Sequence, residues 1–189
     1  MEQKFVYDYP MPAVTTDCAI FSTDYHENVI KVLLIKRKNE PYKDCWALPG
    51  GFLEQNETII DCCVREILEE TGIDLFNTKY VDKVFNIGIY DKPDRDPRQR
   101  VISMLSVATV SYHWIEVGDV TFEPGDDAIE CKWVNINDIN EINLAFDHKD
   151  MLRQALAYCG AYCMLDRNIL MNHKSVPFNY SKVEYVKDL

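Results

Sequence analysis

The sequence predicts an α/β fold, a sandwich in which helices flank a mixed β-sheet. Two observations lead to this class. Short apolar segments separated by turn residues alternate with two segments of helical periodicity. The chain has 189 residues, 47% of them hydrophobic, and is therefore long enough to bury one core. We therefore expect one main α/β domain.

The strand pattern begins with a hairpin. Residues 11–22 and 29–37 are largely apolar, and the polar residues 24–28 between them suit a turn. A charged, proline-containing loop at 91–100 and an acidic turn at 123–127 separate later segments. Four further apolar segments are predicted as strands of the same sheet, at residues 46–48, 79–90, 101–113 and 129–135.

Helical periodicity marks two segments. The first, residues 57–71, repeats apolar residues along one helix face, and Asn56 is predicted as its N-cap. Gly72 follows this segment and suits the C-terminus of a helix. The second, residues 146–165, is typical of an amphipathic helix, with His148 near its start as a cap or surface residue.

The first helix has a charge pattern that demands a cation. Glu66, Glu69 and Glu70 fall on one polar face beside Arg65, and Glu57 stands at the predicted helix start. Like charges three and four residues apart destabilise a helix. Because hard divalent cations prefer oxygen ligands, this cluster indicates a candidate metal site.

A glycine turn precedes the helix, where the backbone can approach a ligand closely. Together they resemble the Nudix box, the signature of the Nudix hydrolases. With a background near ~7% per residue, seven matches by chance are on the order of one in 10⁸. A solvated charged helix is the alternative, but such helices usually alternate signs. The matching positions are Gly51, Glu57, Arg65, Glu66, Glu69, Glu70 and Gly72.

The resemblance extends beyond the box and points to one branch of the family. That branch contains ADP-ribose pyrophosphatases, some of them fused to nicotinamide-nucleotide adenylyltransferases, and NAD-metabolism repressors whose Nudix domain senses ADP-ribose. The repressors carry a winged helix after this domain, whereas only about 40 residues follow His148 here. The likeness therefore implies a stand-alone hydrolase. It is carried by segments 46–52, 95–103, 125–133 and 144–148.

This resemblance implies a fold and a reaction. The fold is a Nudix-type α/β/α sandwich with a mixed sheet. The reaction is Mg²⁺-dependent hydrolysis of a nucleoside diphosphate linked to another moiety, with ADP-ribose giving AMP and ribose 5-phosphate. Mn²⁺ is the alternative cation. Other Nudix reactions, on NADH or nucleoside triphosphates, and a non-catalytic ADP-ribose sensor are the alternative functions. Family analogy also implies a homodimer.

The resemblance also assigns roles to the box residues. Glu66 and Glu70 are the expected metal ligands, Glu69 is a ligand or the general base, and the carbonyl of Gly50 completes the metal shell. Arg65 is expected to orient these carboxylates as part of the catalytic group.

Other residues are expected to support the site or complete it. A distal carboxylate often helps in this family, and the sequence leaves its identity open. The supporting residues are Glu57, which pairs with Arg65, and Gly51 and Gly72. The candidates for the distal carboxylate are Asp126, Asp127 and Glu130.

Four arginines are predicted to bind substrate. Arg95, Arg98 and Arg100 lie in the loop before a strand, and bidentate arginine contacts suit phosphate. The alternative for these three is a set of Asp–Arg pairs that hold the loop, and both interpretations stay open. Arg37 ends a strand within a Lys-Arg-Lys run, where a solvated strand end is the competing interpretation.

Charge, apolar stretches and cysteine spacing limit the possible partners and location of the protein. A net charge of −11 argues against direct nucleic-acid binding. The sequence lacks a long apolar stretch and a secretory pattern at its start, and its seven cysteines show no disulfide-framework spacing. We expect a cytoplasmic protein with reduced thiols and no membrane contact. The expected division is a Nudix domain over residues 1–165 and a C-terminal extension without a winged helix over 166–189.

Overall fold

The chain folds around a seven-stranded mixed sheet. The computed structural model describes residues 8–24, 29–76, 81–118, 124–125 and 128–169. The strand order is β3-β2-β1-β6-β5, with β4 paired to β1 and β7 paired to β2. The strands are β1 Ala13–Asp24, β2 Val29–Arg37, β3 Trp46–Ala47, β4 Gly50–Phe52, β5 Val81–Tyr90, β6 Val101–Val110 and β7 Ala128–Asn135.

Pairing around β1 makes the sheet mixed. The predicted hairpin is confirmed, because β1 and β2 pair antiparallel, with Phe21 opposite Val32. On its other side β1 runs parallel to β6, from Ala13 opposite Val101 to Phe21 opposite Thr109. The helices are α1 Ile59–Thr71, α2 Tyr112–Glu116 and α3 His148–Ile169, with a 3₁₀ helix over Ile136–Glu141. The predicted α/β class is thus confirmed.

Helix α1 begins later than the sequence pattern indicates. Thr58, not Asn56, is its N-cap: the Thr58 side chain accepts from the Asp61 N–H, and the Asp61 side chain accepts from the Thr58 N–H. This reciprocal capping box satisfies two helix-end donors. At the other end Gly72 takes the left-handed conformation, with φ of 73°, as the prediction required.

Three further elements differ from the prediction. The strand predicted over 101–113 ends at Val110, and the short helix α2 follows it. Gly50 and Gly51 belong to strand β4, not to a simple turn, because β1 pairs with them. Helix α3 begins at His148, since Phe146 has a left-handed backbone with φ of 50°. Of the acidic turn at 123–127, only residues 124–125 lie within the described residues.

The core sets the orientation of α1. Its buried residues Cys63, Val64 and Ile67 pack against Cys18 and Ile20 of the central strand β1. Because this face is buried, the carboxylates on the opposite face point away from the core. Six of the cysteines are free thiols, namely Cys18, Cys45, Cys62, Cys63, Cys131 and Cys159.

The chain divides into two compact units, Met1–Ala155 and Leu156–Leu189. The first contains the whole sheet, helices α1 and α2, and the start of α3. Within the second, the structure describes only the helical residues 156–169. The domain boundary expected at residue 165 stays a prediction. No helix in the described ranges is both long and apolar enough to span a membrane.

Candidate active site

A cavity of about 380 Å³ opens beside the N-terminal unit's central strand. Strand β1 forms its floor, strand β4 and helix α1 form one wall, and the 95–98 loop and the residues before α3 form the other. Its lining includes Thr15, Asp17, Arg37, Gly50, Gly51, Phe52, Glu66, Glu70, Arg95, Arg98, Phe146 and His148, together with Arg65.

Arg65 is the centre of the acidic wall. It contacts Glu57 with Nε and Nη2 at 3.0 and 2.7 Å, and its Nη1 reaches Glu66 at 2.8 Å and Glu69 at 3.1 Å. The hydrogen bonds from Arg65 lower the pKa of Glu57 to about 2. The same bonds raise the pKa of Arg65. The predicted Glu57–Arg65 pair is therefore present in the structure, and Arg65 also bridges two carboxylates of the candidate metal group.

The three helix carboxylates are not equivalent. Glu66 lies against the backbone of Gly51, where a Cβ atom on the glycine would collide with its carboxylate. Burial raises the pKa of Glu66. Glu70 accepts a 2.7 Å hydrogen bond from the Gly50 N–H. Glu69 is the most open of the three, with 59% of its side chain exposed.

The donor chemistry fits a divalent cation. Glu66, Glu70 and Gly50 all line this cavity, so three of the four predicted ligand residues lie together, while Glu69 is not among the lining residues. Among the described residues no three acidic, thiol or imidazole groups already surround a single point. The contacts of Arg65 with Glu66 and Glu69 account for this arrangement, since they take up carboxylate oxygens. A cation at this wall would compete with Arg65 for them.

Two arginines and two aromatic rings form a cationic group in the same cavity. The guanidinium of Arg98 lies 5.1 Å from the Phe52 ring and 5.8 Å from the Phe146 ring, and that of Arg37 lies 5.0 Å from Phe146. Arg98 pairs with Asp96 at 2.7 Å. Arg37 is partly buried in the cavity, so the solvated-strand-end interpretation was wrong for this residue.

The other two predicted arginines are placed differently. Arg95 forms two hydrogen bonds to Asp147, at 2.7 and 3.0 Å, and its side chain is only 3% exposed. This geometry matches the interpretation of an Asp–Arg pair that holds the loop. Arg100 is exposed and donates to the carbonyls of Asp91 and Lys92. It lies outside the cavity lining described above.

The cavity floor contains residues that the sequence did not indicate. Asp17 accepts a hydrogen bond from the Ser103 hydroxyl and lies 3.8 Å from Arg95. His148 is 3% exposed, so its assignment as a cap or surface residue was wrong. Burial lowers its pKa, and its Nδ1 accepts from the Leu48 N–H at 3.0 Å. The Leu-Ala-Phe-Asp-His run of residues 144–148 was the one signal that could have pointed here.

The candidates for a distal carboxylate stay undecided. Asp126 and Asp127 lie outside the described residues, and Glu130 is exposed on β7. Just before these aspartates, the Gly125 N–H donates to the Glu70 carbonyl at 3.1 Å. A Cβ atom at Gly125 would collide with the Glu69 carbonyl, so the chain approaches α1 closely at this point.

The box helix, the glycine strand and the mixed sheet define a class of protein, and the comparisons agree. The NUDIX domain profile matches residues 11–155. The chain therefore belongs to the NUDIX domain family and is a member of the Nudix hydrolases. The predicted family is confirmed.

Two relatives refine this placement. The chain is 40% identical over 151 residues to an ADP-ribose pyrophosphatase of Methanocaldococcus jannaschii, covering 79% of this chain and 76% of that protein. It is 38% identical over 152 residues to the ADPR responsive transcriptional repressor NtrR of Acinetobacter baylyi, covering 79% of this chain. This chain spans only 55% of the repressor's length.

A solved structure agrees in fold. The NUDIX domain of Shewanella oneidensis NrtR, crystallised with ADP ribose, superposes with a TM-score of 0.68 at 25% identity. The match covers 81% of this chain and 94% of that one.

Proposed function

We propose that this protein is a pyrophosphohydrolase that uses a divalent cation to cleave ADP-ribose into AMP and ribose 5-phosphate. The observation that carries the proposal is one cavity lined by the acidic groups of Glu66 and Glu70 and by the cationic groups of Arg37 and Arg98. Phosphate oxygens need cations on more than one side during cleavage. The 40% identity to an ADP-ribose pyrophosphatase supports the choice of substrate.

Arg37 and Arg98 are proposed to bind the diphosphate. Arg37 makes no ion pair with a carboxylate in the part of the chain that the structure describes, and its Nε donates to the Pro41 carbonyl. A partly buried guanidinium without a carboxylate partner favours an anionic ligand. Phe146 stacks against it and limits its movement. Arg95 is proposed only to hold the loop, because its side chain is 3% exposed and paired with Asp147, whereas Arg98, which pairs with Asp96, keeps 40% of its side chain exposed.

Glu66, Glu70 and the Gly50 carbonyl would hold Mg²⁺, with Mn²⁺ as the alternative. The bound cation would neutralise charge on the phosphate oxygens and lower the pKa of water. Glu69 is proposed to accept the proton of the attacking water, because it is the most exposed of the three carboxylates. Water adds to one phosphorus, the P–O bridge breaks, and the two phosphate products leave.

Product analysis tests this proposal. The purified protein is incubated with ADP-ribose, NADH, NAD, ADP-glucose and the nucleoside triphosphates, each with Mg²⁺, with Mn²⁺ and with a chelator. We expect AMP and ribose 5-phosphate from ADP-ribose, only when the cation is present. Hydrolysis in ¹⁸O-labelled water would show which phosphorus is attacked. No turnover of any compound would overturn the proposal.

A sensor function is the second candidate. The identity to an ADPR responsive repressor favours it over other non-enzymatic functions. It predicts that ADP-ribose binds without being cleaved, both with and without Mg²⁺. Calorimetric titration beside the product analysis separates the two functions. The intact set of box carboxylates supports the enzyme.

A further inference from the structure

The floor of the cavity has a polar character different from its walls. Thr15 and Asp17 lie two residues apart on β1 and both line the cavity, as strand alternation allows. His148, at the start of α3, lines the same floor. Thr15 and Asp17 are each 8% exposed and His148 is 3% exposed. Buried polar groups at a cavity floor need partners, so their hydrogen bonds are informative.

The proton position on His148 follows from its neighbours. Its Nδ1 accepts from the Leu48 N–H, so the imidazole hydrogen is on Nε2. Nε2 lies 3.5 Å from Oδ1 of Asp17. That separation is longer than an ordinary hydrogen bond. A buried donor and a buried acceptor therefore lie side by side at the floor without a good bond between them.

Thr15 adds an independent observation. Its Oγ1 is buried and has no hydrogen-bond partner in the described part of the chain. An unpaired buried hydroxyl is unfavourable unless a ligand or water completes it. Thr15 is thus a second polar group at this floor whose hydrogen bonding the protein leaves incomplete.

The chemistry of these groups selects a ligand. A hydroxyl group both donates and accepts, so it can donate to Asp17 and accept from His148. Phosphate only accepts at neutral pH and would be repelled by the Asp17 carboxylate. Arg95 does not offset this repulsion, because its single positive charge already lies next to two carboxylates, those of Asp147 and Asp17. The floor therefore suits the hydroxyl groups of a sugar, while the arginine side suits the diphosphate.

We propose that Asp17, His148 and Thr15 form a subsite that binds sugar hydroxyl groups of the substrate. This inference rests on the proposed function and names the part of the substrate that reaches the floor. ADP-ribose offers two sources of such hydroxyls, the ribose of the nucleoside and the distal ribose. The subsite sets specificity among nucleoside diphosphate derivatives.

Thr15→Val is the first variant. It keeps the shape of the side chain and removes a hydroxyl that has no partner among the described residues, so none of the hydrogen bonds seen in them is lost. Asp17→Asn is the second variant, because it keeps the size and one acceptor oxygen. Ser22→Ala is the matched control: the Ser22 hydroxyl is also buried and unpaired within the described residues, but it lies elsewhere on β1.

Three substrates distinguish the sources. They are ADP-ribose, the β-methyl ester of ADP, which lacks the distal ribose, and the 2′,3′-dideoxyadenosine analogue of ADP-ribose, which lacks the hydroxyls of the nucleoside. We expect Thr15→Val to raise KM for ADP-ribose roughly 3- to 10-fold, the size of one hydrogen bond, with a smaller change in kcat. Asp17→Asn should raise KM at least as much, and Ser22→Ala should leave it unchanged.

The size of the Thr15→Val effect on each of the three substrates shows which ribose occupies the floor. If the distal ribose occupies the floor, the effect of Thr15→Val disappears for the methyl ester and persists for the dideoxy analogue. If the nucleoside ribose occupies it, the pattern reverses. Either pattern supports the subsite. Equal effects on all three compounds, or no effect on any, would overturn it.

Failure of the proposed function gives a different result. Wild-type protein that cleaves none of the three compounds overturns the hydrolase. Titration calorimetry with the same compounds then still tests the subsite. The subsite predicts that Thr15→Val weakens binding of ADP-ribose but not of the analogue without the relevant hydroxyls. Unchanged binding of all three compounds would overturn it.

Discussion

Two ion-pair networks face the same cavity, and they differ in burial. Arg65, with 26% of its side chain exposed, contacts Glu57, Glu66 and Glu69 at the rim. Arg95, with 3% of its side chain exposed, also lines the cavity and forms two hydrogen bonds to Asp147. Arg65 contacts three carboxylates near solvent, whereas Arg95 is held inside the protein by Asp147, with Asp17 3.8 Å away.

This difference in burial distinguishes carboxylates that can change partners from a buried pair that must remain intact. Ion pairs near solvent contribute less to stability than fully buried ones, so the carboxylates at the rim can exchange Arg65 for a cation at a smaller cost than the buried pair could. A buried pair is different, because removing one partner leaves an uncompensated charge. We infer that the rim network serves chemistry and the buried network serves the architecture of the floor. Four predictions test this division.

The largest effect is expected for Asp147→Ala. This change removes both hydrogen bonds of Arg95 to Asp147 and leaves it buried beside the more distant Asp17, 3.8 Å away, and the free energy of unfolding should fall by about 3 kcal/mol. The matched control is Asp150→Ala, which breaks the exposed pair with Arg153 and should change stability by about 0–1 kcal/mol. Urea unfolding measures both. Equal losses of unfolding free energy in the two variants would show that the buried pair is no more important for stability than the exposed pair.

At the rim, we expect Glu70→Gln to lower activity while leaving stability nearly unchanged. Glutamine keeps an oxygen that can accept the Gly50 N–H, so the unfolding midpoint should hardly change. Loss of the negative charge should weaken the cation site and lower kcat by about 100-fold or more. Glu141→Gln, at an exposed position in the 3₁₀ helix, is the control for the change in charge. A large loss of stability without loss of activity would refute the assignment of Glu70 to the cation site.

Arg65→Lys sharpens the comparison further. A lysine keeps the charge but lacks the planar fork with which Arg65 contacts three carboxylates at once. We expect activity to fall about 10- to 100-fold, while the free energy of unfolding falls by about 1 kcal/mol or less. Arg153→Lys on α3 makes the same substitution in an exposed pair and should leave activity unchanged. Wild-type activity in Arg65→Lys would show that orientation of the carboxylates by the guanidinium is unnecessary.

The sequence predicted the rim well and the floor poorly, for a physical reason. Helix α1, its carboxylates and Gly72 follow from residues close together in the chain, where periodicity and capping act locally. The Glu57–Arg65 contact spans only eight residues. The position of a side chain relative to a local helix needs no knowledge of the rest of the fold.

The floor depends on long-range pairing instead. Arg95 and Asp147 are 52 positions apart, and His148 lies 100 positions from Leu48, whose N–H it accepts. Asp17 and Ser103 come together because β1 and β6 run parallel side by side. Strand register of this kind is set by the whole sheet, so composition and spacing could not show that the His148 side chain is buried.

The smallest expected effect is a pH-dependent contribution of Glu57 to the free energy of unfolding. Hydrogen bonds from Arg65 hold the pKa of Glu57 at about 2 in the folded protein, against an ordinary value of 4.5. The unfolded chain therefore takes up this proton first as the pH falls. The stabilisation by Glu57 should be complete above about pH 4.5 and decline as the pH approaches about 2. Chemical denaturation of wild type and Glu57→Gln across this range measures the difference, with Glu141→Gln correcting for one lost charge. A gap that stays constant down to the lowest pH, or that widens on acidification, would mean that the rim pair does not contribute through its charge.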